Sequence, residues 1–143
     1  MNVRFAFAVN YDNMFEDKHF GDADKYLVYK KDAGNIIFIS EEENKFKLFD
    51  IEAENGLRNK GKAIIRFLKE KEINIIVSMR FCKNIEIVKE HFIPIKITLE
   101  KYEEVINSII KYLHWIKDEW ENNSSEFKLF VIKSGILKIA IDK

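Results

Sequence analysis

Six residues between an apolar run and a helix carry most of the chemistry this chain offers. Ile73 to Ser78 reads as a strand covered on both faces, and it leads into Met79-Arg80-Phe81-Cys82-Lys83-Asn84 before the next helical segment. A turn at the carboxyl end of a strand is where α/β sheets place ligands, and small residues there let a ligand approach the backbone. This turn instead carries the only cysteine of the chain, with an arginine and a lysine beside it. As a thiolate, Cys82 would ligate a metal, its pKa lowered by Arg80, Lys83 and the start of a helix. As a thiol it reads as a small buried hydrophobe, the commonest fate of a free cysteine. Arg80 and Lys83 suit a clamp on an anionic cofactor or phosphate. They equally suit a solvated turn.

The second candidate is His19, which follows Glu16-Asp17-Lys18 and precedes Phe20-Gly21. As a ligand it would offer an imidazole nitrogen to iron or another borderline metal. As a structural residue it would cap a backbone carbonyl, with Gly21 making the turn. One Cys and one His do not complete the coordination of a cluster, which takes about four protein ligands. A dimer, or a precursor bringing its own ligands, would supply the rest. His91 ends a helix, where a cation favours the dipole. His114 lies beside Trp115, and with Tyr112, Ile116 and Trp120 it forms either an exposed patch for a partner or packing under a C-terminal hairpin.

The elements that must position these residues are legible as alternating patterns. Val3 to Val9 is nearly all apolar, a strand covered on both faces. Asn10 to Asp24 is polar and broken, a loop. Tyr26 to Tyr29 and Ile36 to Ser40 flank Asp32-Ala33-Gly34-Asn35 and predict a hairpin. The stretch from Glu41 to Asn55 is ambiguous. Asn59 to Lys71 predicts an amphipathic helix with Ala63, Ile64, Phe67 and Leu68 on one stripe. Asn84 to Glu90 predicts a second helix, and Ile93 to Thr98 the next strand, with Pro94 near its start, where a missing donor is tolerated. Glu100 to Glu121 predicts one long helix, and Phe127 to Ile132 with Ile136 to Ile141 a closing hairpin across Ser134-Gly135. The order β-β-β-α-β-α-β-α plus a hairpin predicts an α/β mixed sheet. Its first strand lies centrally, beside the Ile73 strand, so the His19 loop and the Arg80–Cys82 turn meet at one rim. A helix starting near Lys83 would point its N–H groups at the same rim and favour an anion.

That order, with three local patterns, resembles the dinitrogenase iron–molybdenum cofactor biosynthesis family, whose fold is ribonuclease H-like. The patterns are Phe5-Ala6-Phe7-Ala8-Val9 followed by His19-Phe20-Gly21 and Tyr26-Leu27-Val28-Tyr29; Asn59-Lys60-Gly61-Lys62-Ala63 opening a helix that closes on Lys69-Glu70-Lys71; and Ile73 to Ser78 with its turn, a helix, and Ile95-Lys96-Ile97. They cover roughly residues 3 to 110. The resemblance implies a non-enzymatic binding or carrier protein for an iron–sulfur or iron–molybdenum-type cluster, or for no cluster at all in some small relatives. It implies that His19 matches the family's loop histidine. It also implies that Met79 to Asn84 stands where the family has a glycine-rich turn, with Met79, Arg80 and Cys82 at the glycine positions and Lys83 in place of proline. The cofactor-binding set implied is His19, Arg80, Cys82, Lys83 and Asn84, with His19 and Cys82 as metal ligands. The domain expected is 1–121, with 122–143 as a hairpin extension that caps an edge strand or makes a dimer contact.

Bulk properties set the outer limits. The 143 residues suggest one domain with a proper core. Twenty-four basic residues balance 24 acidic ones, so nothing draws the chain generally to nucleic acid or to an anionic membrane. One cysteine excludes a disulfide framework and a CxxC site, and a reduced thiol suits the cytoplasm. A strand beginning at Val3 leaves no room for a signal peptide, and no apolar run reaches the roughly 18 residues of a membrane span. The first strand and Ile73 to Ser78 carry no acidic residue, which argues against two-metal nuclease chemistry. Two functions follow: a carrier of a metal cluster or small anion at the crevice, or an interaction and homodimerisation module whose bulky turn closes the pocket.

Overall fold

The computed structural model describes residues 3–46, 56–81, 85–98, 101–123 and 126–140. Seven strands form a single mixed sheet in the order β3-β2-β1-β4-β5-β6-β7. They are β1 (Arg4–Val9), β2 (Lys25–Asp32), β3 (Asn35–Glu43), β4 (Ile75–Ser78), β5 (Ile93–Ile97), β6 (Phe130–Lys133) and β7 (Ile136–Ile139). Between them lie α1 (Gly56–Glu70), α2 (Ile85–His91), α3 (Tyr102–Lys111) and α4 (Leu113–Asn122). β1 runs parallel to β4, with Phe5 opposite Ile75, and antiparallel to β2. β4, β5 and β6 continue the parallel set, and hairpins close the sheet at both ends. The first strand is therefore beside the Ile75 strand, as the sequence predicts. Among the described residues no helix is long and apolar enough to cross a membrane.

Alternation along the strands divides the core in two. Phe5, Phe7, Ile75, Val77, Ile95 and Ile97 face Val105 and Ile109 of α3 and Leu113 and Ile116 of α4. Ala6, Ala8 and Ile76 face Ile64, Ile65 and Leu68 of α1 and Val88 of α2. Both faces are buried, which is why the parallel strands read as continuous apolar runs. On the α1 face the alanines are small, and the same cluster takes in the full side chains of Phe20 and Tyr26, each 0% exposed.

Several boundaries differ from the sequence expectation, with α1 starting at Gly56, β4 at Ile75 and β6 at Phe130, and two departures are larger. The long C-terminal helix is two helices meeting at Tyr112, whose backbone (φ −107°, ψ 17°) leaves the helical region. A straight helix spanning both would leave a twisted sheet, whereas the break keeps Leu113 and Ile116 against it. The ambiguous stretch after Ser40 begins as strand, since β3 runs to Glu43, and Phe46 then packs edge-on to Phe67 of α1 with centroids 5.9 Å apart. Leu48 and Ile51 lie outside the described residues.

Candidate functional site

Strand β4 delivers Arg80 to the carboxyl edge of the sheet, and hydrogen bonds on both sides fix its main chain there. The Phe20 N–H donates to the Arg80 carbonyl at 3.0 Å, and His19 and Arg80 form a parallel bridge. The Ser78 hydroxyl donates to the same carbonyl at 3.1 Å. The loop after β1 and the turn after β4 thus meet at one rim.

The loop is itself held by buried polar groups. The Asn44 side chain donates to the carbonyls of Gly21 and Ala23, both at 2.8 Å, and the Tyr26 hydroxyl donates to that of Phe20 at 2.8 Å. Lys60 of α1, 6% exposed, pairs with Asp22. A Cβ at position 21 would stand 3.0 Å from Ile64 and 3.2 Å from the His19 ring, so a side chain there would push on both by a few tenths of an ångström. Asn44 reaches the loop across 23 residues of chain and Lys60 across 38, so no local pattern announces these contacts, whereas Tyr26 is six residues from its partner.

A cleft of about 510 Å³ opens at this rim, between the ends of β4 and β5. Its described lining is polar at Asp17, Arg80, Lys96 and Thr98 and apolar at Met79, Phe81, Ile85, Ile97 and Leu129. The chain leaves β4 for α2 on the α1 face, and leaves β5 for α3 on the opposite face. This is the point in an open sheet where adjacent connections diverge and a crevice forms. The Arg80 guanidinium grips Asp17 through a fork, Nε to Oδ1 and Nη2 to Oδ2, the latter at 3.0 Å. The hydrogen bond from Arg80 holds the Asp17 carboxyl below the ordinary aspartate value, and the charges of Arg80 and Lys96 add to the effect.

His19 points elsewhere. Its Nδ1 accepts the Gly21 N–H at 3.0 Å, capping the short turn Phe20–Asp22. It borders a separate recess of about 10 Å³ and does not line the cleft. Burial pushes its pKa down, partly offset by the Asp22 charge and by a hydrogen bond with the Phe81 backbone. The loop therefore presents Asp17 to the cleft, and His19 to its own backbone. Cys82, Lys83 and Asn84 lie outside the described residues. Of the other aromatic and histidine candidates, Trp120 stacks on Phe127 at 4.9 Å, whereas Trp115 is half exposed with His114 edge-on to it. His91 closes α2.

An iron–sulfur or iron–molybdenum-type group can be tested against these side chains. Direct ligation asks for thiolates or imidazoles converging on one point. Among the described residues no group of three or more His, Cys, Asp or Glu side chains is arranged to hold a metal ion. The described lining holds the Arg80 guanidinium, paired with the Asp17 carboxylate, together with the Lys96 ammonium and the Thr98 hydroxyl. Residues 1–112 match the family model described as dinitrogenase iron-molybdenum cofactor, so α4 and the closing hairpin fall outside the match. No curated protein matches the chain.

Proposed function

The chain belongs to the dinitrogenase iron-molybdenum cofactor family, and from that premise we propose that it is a non-enzymatic binding protein that takes a small anionic ligand into the β4–β5 cleft. The observation that carries this reading is the presence of both Arg80 and Lys96 in the lining of a cleft at the divergence of the sheet's connections. Both cations stand on fixed backbone, Arg80 through its two neighbours and Lys96 through the β5 ladder. Preorganised donors of this kind lower the ordering cost of binding. Arg80, Lys96 and Thr98 supply charge and hydrogen bonds, and this reading asks no proton transfer of them.

An anionic cluster and a simple oxyanion share this chemistry, and one experiment separates them. Wild type, an Arg80→Gln/Lys96→Gln double variant and Cys82→Ala are incubated anaerobically with ferrous iron and sulfide, desalted, and assayed for iron. Each is also titrated with inorganic sulfate by calorimetry. Loss of two charge-assisted contacts predicts about tenfold or greater weakening in the double variant. Iron held by wild type and Cys82→Ala but lost by the double variant identifies a cluster gripped by charge. Sulfate binding without iron identifies a simple oxyanion. Wild type that takes up neither overturns the reading.

A further inference from the structure

The guanidinium of Arg80 already holds an anion, and that anion belongs to the chain itself. Asp17 sets both carboxylate oxygens on the fork, in the plane a bound oxyanion would use. The pair is solvated, with Arg80 54% and Asp17 60% exposed at the side chain. An ion pair this exposed favours its closed arrangement only about two- to fivefold. The main chain beneath Arg80 is fixed far more firmly, by Phe20, Ser78 and the bridge to His19. Asp17 also sits between two anchored stretches. The Asn10 side chain accepts from the N–H groups of Asp12 and Met14 at 2.9 Å, and Asn44 holds the carbonyls of Gly21 and Ala23.

We propose that Asp17 is a resident competitor in the cleft: its carboxylate occupies the place of the ligand's anionic group, and a small oxyanion of charge two or more displaces it from Arg80. This rests on the reading of the cleft as an anion site. The exchange is one side chain for one ligand on an unmoving floor, so loop anchors need not break. It also selects by charge. A monoanion offers Arg80 no more than Asp17 does, whereas a dianion brings extra charge and a further oxygen for Lys96, which lines the same cleft and whose charge acts on Asp17. Chloride and carboxylates would leave the pair closed, and sulfate- or phosphate-type groups would open it.

The test is calorimetric titration at low ionic strength with inorganic sulfate and, as the monoanion, chloride. The proteins are wild type, Asp17→Asn, Asp17→Ser and Asp17→Asn/Arg80→Gln. Asp17→Asn and Asp17→Ser are expected to bind sulfate at least two- to fivefold more tightly than wild type. Chloride binding should change less, and the gain should vanish when Arg80 is also replaced. Sulfate bound by the Asp17 variants but not at all by wild type would overturn the exchange, since a pair favoured only about two- to fivefold cannot close the site fully. Equal or weaker sulfate binding by the Asp17 variants, with wild type binding, overturns the competitor and leaves the anion site standing. No sulfate binding by wild type or by either single Asp17 variant overturns the competitor, and if wild type also takes up no iron the anion site falls with it.

Discussion

His19 shows how one side chain can be committed to structure by its own titration. Its Nδ1 must be unprotonated to accept the Gly21 N–H, and burial holds its pKa below the ordinary 6.5. The unfolded chain therefore takes up a proton near pH 6.5 that the folded chain accepts only at lower pH. Stability is complete above that point and falls as the pH drops below it. Urea unfolding at pH 7.5 and pH 5.5 should show this loss in wild type. His19→Asn should show less of it, since its oxygen accepts the same bond without titrating there, and His19→Ala should cost about 1 kcal/mol at pH 7.5. An equal pH dependence in wild type and His19→Asn would sink the assignment. At this scale the sequence is a partial guide. His19 and Arg80 are conspicuous by type, and the loop and turn they occupy do meet. Asp17 and Lys96 are not conspicuous: Asp17 is one acid in a polar loop, 63 residues from its arginine, and Lys96 is the polar member of an alternating strand. Their roles come from which loop lies against which strand end, and no local pattern carries that.

Elements declare themselves when burial is two-sided and blur where it is not. β1, β4 and β5 are apolar runs because helices cover both faces. β2 and β3 extend beyond their apolar centres into Lys30-Lys31-Asp32 and Glu41-Glu42-Glu43, where backbone pairing continues without an apolar signal. The end of α1 is a case where structure departs from residue preference. The Ile73 N–H reaches back to the Leu68 carbonyl at 3.0 Å across Glu72, which stands at φ 61°. That is the left-handed cap position usually given to glycine. Its side chain offers only a 3.8 Å contact with Arg4 and is 75% exposed. Glu72→Gly should therefore raise stability by about 0.5–1 kcal/mol, read as a higher urea midpoint at unchanged slope. A lower midpoint would mean that the Arg4 contact outweighs the backbone strain.

Over the whole molecule, the C-terminal hairpin is part of the sheet. β6 pairs in parallel with β5, with Ile95 opposite Phe130, and so covers what would otherwise be an edge. It also contributes Phe130, Ile132 and Leu137 to the α3–α4 face, each at most 3% exposed, and Phe127 lies just before it at 3%. Burying such side chains is worth about 1.5–3 kcal/mol each. Together that rivals the roughly 5–15 kcal/mol that holds a domain folded. A chain ending at Asn123 should thus lose cooperative thermal unfolding and its near-ultraviolet dichroism, and bind a hydrophobic dye. A truncated chain that melts cooperatively would show that the core closes without the hairpin. The hairpin itself is legible, because Gly135, at φ 77°, suits such a turn and the Ser-Gly pair separates two apolar runs, although Ser134 at φ 54° is not the favoured first residue. Its place beside β5 is not, since strand order is decided by which edge remains open. The same strand order has a consequence for synthesis. The β1–β2–β3 meander can pair as soon as it leaves the ribosome, but β1 waits for β4, whose first residue is Ile75, and the cleft waits for Leu129. At about 5–20 residues per second that is roughly several seconds in which the strand destined for the middle of the sheet is a bare edge on the nascent chain.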